Sequence, residues 1–303
     1  MEIVFLGTGS DYATPEREPV CVLIKGGANL LLDCSPSVLK QLALVGMDPL
    51  DIDAVFISHR HAGHSLGLPF LTWGNIVRGR KRELLVFLPE DSVLERLHEL
   101  SIEGLYPGEC YHRKLFDVRL HKLKTSDFDK VSLKELMRGR QESSANITVR
   151  SAPLSHWEGE NDATKFFTLG YSLEFTDVDL KIAYAVDTRP CENTVKLARN
   201  ADILIHDASF EHKAAKWALQ ARHSTAREAA EVAKRANAKV LVLVHLHPTR
   251  FGRKDIGNVF SEDAKHVFDG ELVMPNDLDV LDPWSYLLSR PRHTIKEEYQ
   301  GKL

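Results

Sequence analysis

A chain of 303 residues, 43% hydrophobic and 27% charged, has the composition of an ordinary globular protein and can bury one large core or two modest ones. A formal net charge of −4 excludes a uniformly basic nucleic-acid coat and leaves room only for local basic patches. No apolar run approaches a membrane span and no basic-then-apolar leader opens the chain. The four cysteines (Cys21, Cys34, Cys110, Cys191) lie scattered without a Cys-x-x-Cys pair, so a cytoplasmic protein with reduced thiols and no membrane contact is expected.

In chain order, residues 1–9 read as a buried strand ending in a Gly-rich turn. Gly7 and Gly9 lack the third glycine and the following helix that a dinucleotide loop needs. Residues 21–25 and 29–33 read as a hairpin across Gly26-Gly27, and Ser35-Pro36 as the cap and first position of a helix reaching about Val45. A strand over 53–58, a helix over 65–76, a strand over 84–88 and a helix over 90–100 follow. The stretch 103–144 is the least legible, with strand-like alternation near 115–123 and a short helix near 133–137. Strands are then expected at 147–154, 166–175 and 180–185, the last two joined by the polar turn 176–179. Beyond them helix and strand alternate: helix 192–199, strand 203–205, helices 213–218 and 226–236, strand 240–244, a helix near Ala264 and a strand 271–274. Residues 1–283 read as one layered α/β domain, and 284–303 as a charged, aperiodic tail.

Residues 55–69 carry the densest chemistry. An apolar run (Val55, Phe56, Ile57) delivers His59, His61 and His64 at spacings of two and three. On a helix, residues two apart point in nearly opposite directions, whereas at a strand end they project together and the next turn adds the third. Imidazole nitrogen suits zinc, iron or manganese, so the pattern reads as a metal site rather than a merely His-rich loop. Fourteen histidines against four cysteines direct any metal toward imidazole and carboxylate ligands. The basic run Arg78-Gly-Arg-Lys-Arg82 is read first as a solvated face and second as a contact for substrate phosphates.

The run His59-Arg60-His61-Ala62-Gly63-His64 resembles the His-x-His-x-Asp-His signature of the metallo-β-lactamase superfamily. Ser65-Leu66-Gly67-Leu68-Pro69 and the opening Leu6-Gly7-Thr8-Gly9 resemble its ribonuclease Z branch. Further stations match in order: His156 after Pro153-Leu-Ser with Gly170-Tyr171 downstream, Asp187-Thr-Arg-Pro-Cys-Glu-Asn, His206-Asp207-Ala-Ser where the family has His-Glu-Ala-Thr, His223-Ser-Thr, and His245 closing Leu-Val-Leu-Val-His. The resemblance runs from Met1 to about Arg250. It implies a four-layer αβ/βα sandwich and a phosphodiesterase that cleaves RNA 3′ of the tRNA acceptor stem with a metal-activated water. It implies one or two Zn2+ per chain, with Mn2+ or Fe2+ as alternatives. His59, His61 and His156 would hold the first ion, Asp187 would bridge, and His64 and His245 would help hold the second. His223, paired with Asp207, would donate a proton to the leaving oxygen, and Asp33 would orient the histidine loop from behind. Precursor tRNA or a small phosphodiester would be the partner, and a homo-oligomer, a dimer, the assembly.

Three departures qualify the resemblance. Gly63 stands where the motif has aspartate, so the second site is expected to bind weakly or not at all, and Gly63→Asp is expected to raise metal content. Asp207 is one methylene shorter than the family's glutamate. The four-residue turn 176–179 occupies the interval in which the family carries a Gly/Pro-rich arm that grips the tRNA elbow. Two rival readings follow: a small-molecule phosphodiesterase or other hydrolase on the same scaffold, and a catalytically weakened RNA-binding paralogue.

Overall fold

A computed structural model describes residues 1–99, 117–137, 146–156, 167–247 and 256–287. Much of the poorly legible stretch, Cys110 included, and the tail beyond 287 lie outside the described residues. Two seven-stranded sheets form the centre. The first contains β1 (Glu2–Gly7), β2 (Cys21–Lys25), β3 (Leu30–Leu32), β4 (Ala54–Phe56), β5 (Leu84–Pro89) and β6 (Val118–Leu123) in chain order, with β14 (Val280–Leu281) added beside β1. The second contains β7 (Asp129–Ser132), β8 (Ile147–Pro153), β9 (Leu169–Phe175), β10 (Leu180–Ala185), β11 (Ile203–Asp207), β12 (Val240–Val244) and β13 (Glu271–Val273), in the spatial order β13-β12-β11-β10-β9-β8-β7.

Each sheet is half antiparallel and half parallel. Hairpin pairings join β1, β2 and β3, and again β7 to β10, while β3 to β6 and β10 to β13 pair in parallel. Parallel strands buried on both faces need unbroken apolar sequence, and Leu30–Leu32 and Val240–Val244 are buried at every position. The parallel crossovers carry most of the helices: α1 (Val38–Leu44), α2 (Ala62–Ser65), α3 (Gly67–Val77) and α4 (Ser92–Glu99) in the first half, with α5 (Leu133–Leu136) between β7 and β8. The second half adds α6 (Glu192–Leu197), α7 (Ala215–Ala221), α8 (Ala226–Ala236), α9 (Ile256–Lys265) and α10 (Pro283–Leu287).

Three apolar layers hold these elements together. Between the sheets, Phe5, Phe56 and Phe87 meet Tyr171, Ile182 and Val242, with Phe56 stacked on Phe87 at 4.6 Å and edge-on to Tyr171. Outside the first sheet, Val4, Leu31 and Val55 pack under Val38, Leu42 and Leu71 of α1 and α3. Outside the second, Leu204, Leu241 and Leu243 pack under α6, α8 and α9 through Val195, Ala229, Ala233 and Phe260. The order helix, sheet, sheet, helix is the four-layer αβ/βα sandwich expected from the sequence.

Several boundaries differ from the sequence expectation, each for a local reason. Helix α1 starts at Val38 with Ser37 at its cap, not Ser35. The backbone before it is tied to the histidine loop instead: the Cys34 N–H donates to the His64 carbonyl and the Gly67 N–H to the Cys34 carbonyl. A Cβ on Gly67 would overlap the Ser35 carbonyl, so only glycine allows this approach. The helix expected at 65–76 is two helices that meet at Leu66, the first beginning inside the motif at Ala62. Strands β7 and β14 were not foreseen; they are short edge pieces without readable alternation. The tail boundary also moves, because Trp284, Tyr286 and Leu287 of α10 pack against the inter-sheet core. The middle of the basic run turns inward. Arg80 is 2% exposed and donates to the carbonyls of Leu50, Ile52, Arg82 and Glu83 and to Asn75 Oδ1, while Arg78 pairs with Asp48 and Arg82 with Asp53. Arg80 is therefore a structural residue, while Arg78 and Arg82 stay 58% and 41% exposed in their ion pairs.

Candidate metal centre

All the residues singled out for chemistry gather at one edge of the sandwich, at or just beyond strand ends. His59 and His61 follow β4 and His64 lies in α2. His156 follows β8, Asp187 follows β10, Asp207 ends β11, His245 follows β12 and Asp33 follows β3. Strands pointing the same way place their ends on one rim, which is why residues so distant in sequence can meet. The rim is locally strained: Asp33, Asp187 and His245 adopt φ values of 59°, 50° and 61°, a region that non-glycine residues seldom enter. The two sheets are also stitched here, since Leu169 N–H donates to the Ser58 carbonyl and Tyr171 Oη to the Ile57 carbonyl.

Asp187 is the hub. Its Oδ2 lies 3.4 Å from His59 Nε2, 3.5 Å from His156 Nε2 and 4.0 Å from His61 Nδ1. Its Oδ1 lies 3.3 Å from His64 Nε2 and 3.1 Å from His245 Nε2. His61 Nδ1 and His156 Nε2 are 3.4 Å apart. One carboxylate therefore has three imidazoles on one lobe and two on the other. Ligand atoms around a four-coordinate zinc with bonds of about 2.0–2.1 Å stand roughly 3.3–3.4 Å apart, close to the 3.4 to 3.5 Å found in the first group except between His61 and Asp187, at 4.0 Å. The chemistry of the second group argues the same way. His64 Nε2, His245 Nε2 and Asp187 Oδ1 are buried and make no hydrogen bond, although both nitrogens lie within 3.3 Å of that oxygen. Buried polar atoms in that state are costly unless a cation satisfies them.

A second ring of contacts fixes which nitrogen faces inward in four of the five histidines. His59 Nδ1 donates to Ser58 Oγ at 2.9 Å, and Ser58 Oγ donates in turn to Asp33 Oδ2. His64 Nδ1 donates to Asp33 Oδ2 at 2.8 Å, and His156 Nδ1 to the Arg222 carbonyl at 3.0 Å. His245 Nδ1 donates to Ser209 Oγ at 2.7 Å, which donates to Asp207 Oδ1 at 2.7 Å. With Nδ1 carrying the hydrogen, the neutral rings of His59, His156 and His245 turn the Nε2 lone pair toward Asp187. Asp33 takes two further bonds, from the Ser58 N–H and from Tyr184 Oη. Ser58, Ser209, Tyr184 and the Arg222 carbonyl were not anticipated; Ser58 and Ser209 are sequence neighbours of motif residues, whereas Tyr184 and Arg222 carry no local signal.

Burial and charge set the protonation of these rings. Burial pushes His59 well below its ordinary range, His245 down, and His156 down to about 4, so all three stand neutral with a lone pair to give. Burial opposes charge on His64 as well, but Asp187 and Asp33 outweigh it and lift that ring. His223 behaves alike: burial is outweighed by Asp207 and Asp187, which raise it to about 9. Its Nδ1 donates to Asp207 Oδ2 at 2.8 Å, and Asp207 is held further by N–H groups of Thr188, Ser209 and Ser224. The shortened side chain at 207 still reaches its histidine.

The position of the missing motif carboxylate is not open space. Asp11, on the loop between β1 and β2, lies against Gly63, with its Cα 3.2 Å from where a Cβ at 63 would stand. Its Oδ1 is 3.4 Å from His64 Nε2. Sequence reasoning passed over this residue because it belongs to no motif.

Residues 28–246 match the family model of the β-lactamase superfamily domain. The chain is 32% identical over 300 residues to the ribonuclease Z of Archaeoglobus fulgidus, covering 90% of this chain and 94% of that one. It is 30% identical over 304 residues to the ribonuclease Z of Methanosarcina mazei, covering 94% and 99%. The chain belongs to the ribonuclease Z family of the β-lactamase superfamily. It is accordingly a metal-dependent hydrolase. The crystal structure of the short form of human tRNase Z superimposes over 93% of this chain and 99% of its own with a TM-score of 0.67 at 23% identity, which supports the fold. Of the ribonuclease Z motifs, the His-x-His-x-x-His run, the lone His156 and His245, Asp187, and the His223–Asp207 pair all meet at the rim described above.

Proposed function

We propose that this chain is a zinc-dependent endoribonuclease that cuts precursor tRNA 3′ of the acceptor stem. The observation that carries the reading is the division of five imidazoles between the two oxygens of Asp187, together with relatives named ribonuclease Z along nearly the whole chain. His59, His61 and His156 with Asp187 would hold one cation, and His64 and His245 with Asp187 would contribute to a second. Cations bound there supply Lewis acidity, drawing charge from the phosphoryl oxygens and acidifying water.

The chain's own groups do the rest. Asp33 and Ser58 keep the histidine loop in register, and Ser209 and the Arg222 carbonyl fix the tautomers of His245 and His156. His223 has Nδ1 committed to Asp207, so Nε2 is the nitrogen that carries a transferable proton. Its charge is supported by Asp207, so this ring is suited to protonate the departing oxygen of the cut strand.

A small phosphodiester is the second reading, favoured by the tight turn between β9 and β10, which offers no arm for the tRNA elbow. The two separate by experiment. Cleavage of a precursor tRNA, with affinity that falls steeply with salt, is expected for the RNA enzyme. Turnover of bis(p-nitrophenyl) phosphate without any cleavage or salt-dependent binding of the RNA would favour the small substrate. Binding of the RNA without turnover of either substrate would identify a weakened paralogue.

A further inference from the structure

We propose that Asp11 supplies, from a different strand end, the carboxylate that the histidine motif lacks at position 63, and so completes a second cation site with His64, His245 and Asp187. This rests on the reading that the pocket binds cations, and goes beyond it by assigning a ligand outside every motif.

Four observations carry it. The first is displacement: a Cβ at Gly63 would overlap Asp11 Oδ1 and stand 3.1 Å from Asp11 Cγ. The Asp11 carboxylate therefore fills the volume from which a side chain at 63 would start, and glycine at 63 is what lets it in. The second is proximity. Asp11 Oδ1 is 3.4 Å from His64 Nε2, and one donor atom each from Asp11, His64 and His245 lie within 4.8 Å of one another. The third is need: His64 Nε2 and His245 Nε2 are buried without a hydrogen bond, and each lies within 3.3 Å of Asp187 Oδ1, one carboxylate oxygen for two imidazoles. The fourth is anchoring. Ser10 N–H donates to the Leu246 carbonyl and Leu246 N–H to the Thr8 carbonyl, so the residues just before Asp11 are bonded to the residue after His245. The opposite side is fixed by Gly9, whose N–H donates to the Glu18 carbonyl and whose carbonyl accepts from Val20. The Asp11 side chain is 45% exposed, at the pocket mouth, so its carboxylate can receive a cation from solvent.

A side chain at 63 would approach the site from the histidine loop; Asp11 approaches from the other wall and delivers the same charge. The expectation that Gly63→Asp improves metal binding is thereby reversed, because two carboxylates would contend for one volume.

The test is zinc stoichiometry and affinity of the full-length protein by equilibrium dialysis, read without any activity assay. Wild type is expected to bind two ions per chain. Asp11→Asn, which keeps the shape, and Asp11→Ala should each hold one ion tightly and the second at least about tenfold more weakly. Gly63→Asp alone should weaken the second ion, and the double variant Asp11→Ala/Gly63→Asp should regain it. Wild-type stoichiometry and affinity in Asp11→Asn would overturn the assignment, as would a single ion in wild type, while leaving the pocket a metal site. His61→Ala, which should lose the first ion, separates the two ideas: equal metal content in His61→Ala and wild type would remove the cation reading itself.

Discussion

At the scale of single residues, the site depends as much on what holds the imidazoles as on the imidazoles. Asp33 is the clearest case. Buried, with φ at 59°, it accepts from the Ser58 N–H, Ser58 Oγ, His64 Nδ1 and Tyr184 Oη, and so ties the first sheet's histidine loop to the second sheet. Removing the Tyr184 hydroxyl leaves every ligand present but loosens their common support. Tyr184→Phe is expected to lower zinc affinity by about tenfold, in a chelator-competition titration; unchanged affinity would mean that Asp33 is held well enough by its other partners. His223 makes the complementary case. It lies beside the cluster without being one of the five imidazoles around Asp187, so His223→Ala should keep wild-type metal content while RNA cleavage falls by about 10²–10⁴-fold. Loss of an ion in that variant would make His223 a ligand instead of a proton donor.

At the scale of elements, the chain shows which features can be read from sequence and which cannot. Helix α8 was legible to the residue because its signals are local: Thr225 and Glu228 form a reciprocal capping box, alanines line the buried face, and Asn237 closes the helix in the left-handed region. The paired strands β9 and β10 were legible because a short turn with three polar residues, Thr176-Asp-Val-Asp179, separates two apolar runs. Helix α1 was misplaced because Cys34 spends both its backbone bonds on a segment thirty residues away, which no local pattern reveals. Arg80 misled for the same reason. A basic run looks solvated, yet its central guanidinium sits among backbone carbonyls of two loops. Arg80→Leu should therefore destabilise the fold by about 3 kcal/mol or more, several carbonyls losing charge-assisted bonds together, in urea unfolding of the metal-free protein. A change within 0.5 kcal/mol, the size usual for a surface substitution, would restore the solvated reading.

For the whole molecule, the site was more legible than its surroundings, since motif residues announce themselves one strand end at a time and the sandwich brings the ends together. What motifs could not show was compensation. Gly63 read alone predicts a damaged site, and only the fold reveals a carboxylate from the loop after β1 in the same place. Substrate choice is the other property of the whole. Among the described residues the turn between β9 and β10 adds no arm, Arg80 is buried, and Arg78 and Arg82 are paired with Asp48 and Asp53, so an RNA substrate would have to be gripped largely by other surfaces.

The most direct test is to strip the protein with a chelator, confirm that metal is gone, and incubate it with precursor tRNA before and after returning Zn2+ or Mn2+. Cleavage 3′ of the acceptor stem that appears only with the ion, and stays absent in His61→Ala, is the expected result. Intact RNA after two ions per chain have been restored would contradict the proposed activity.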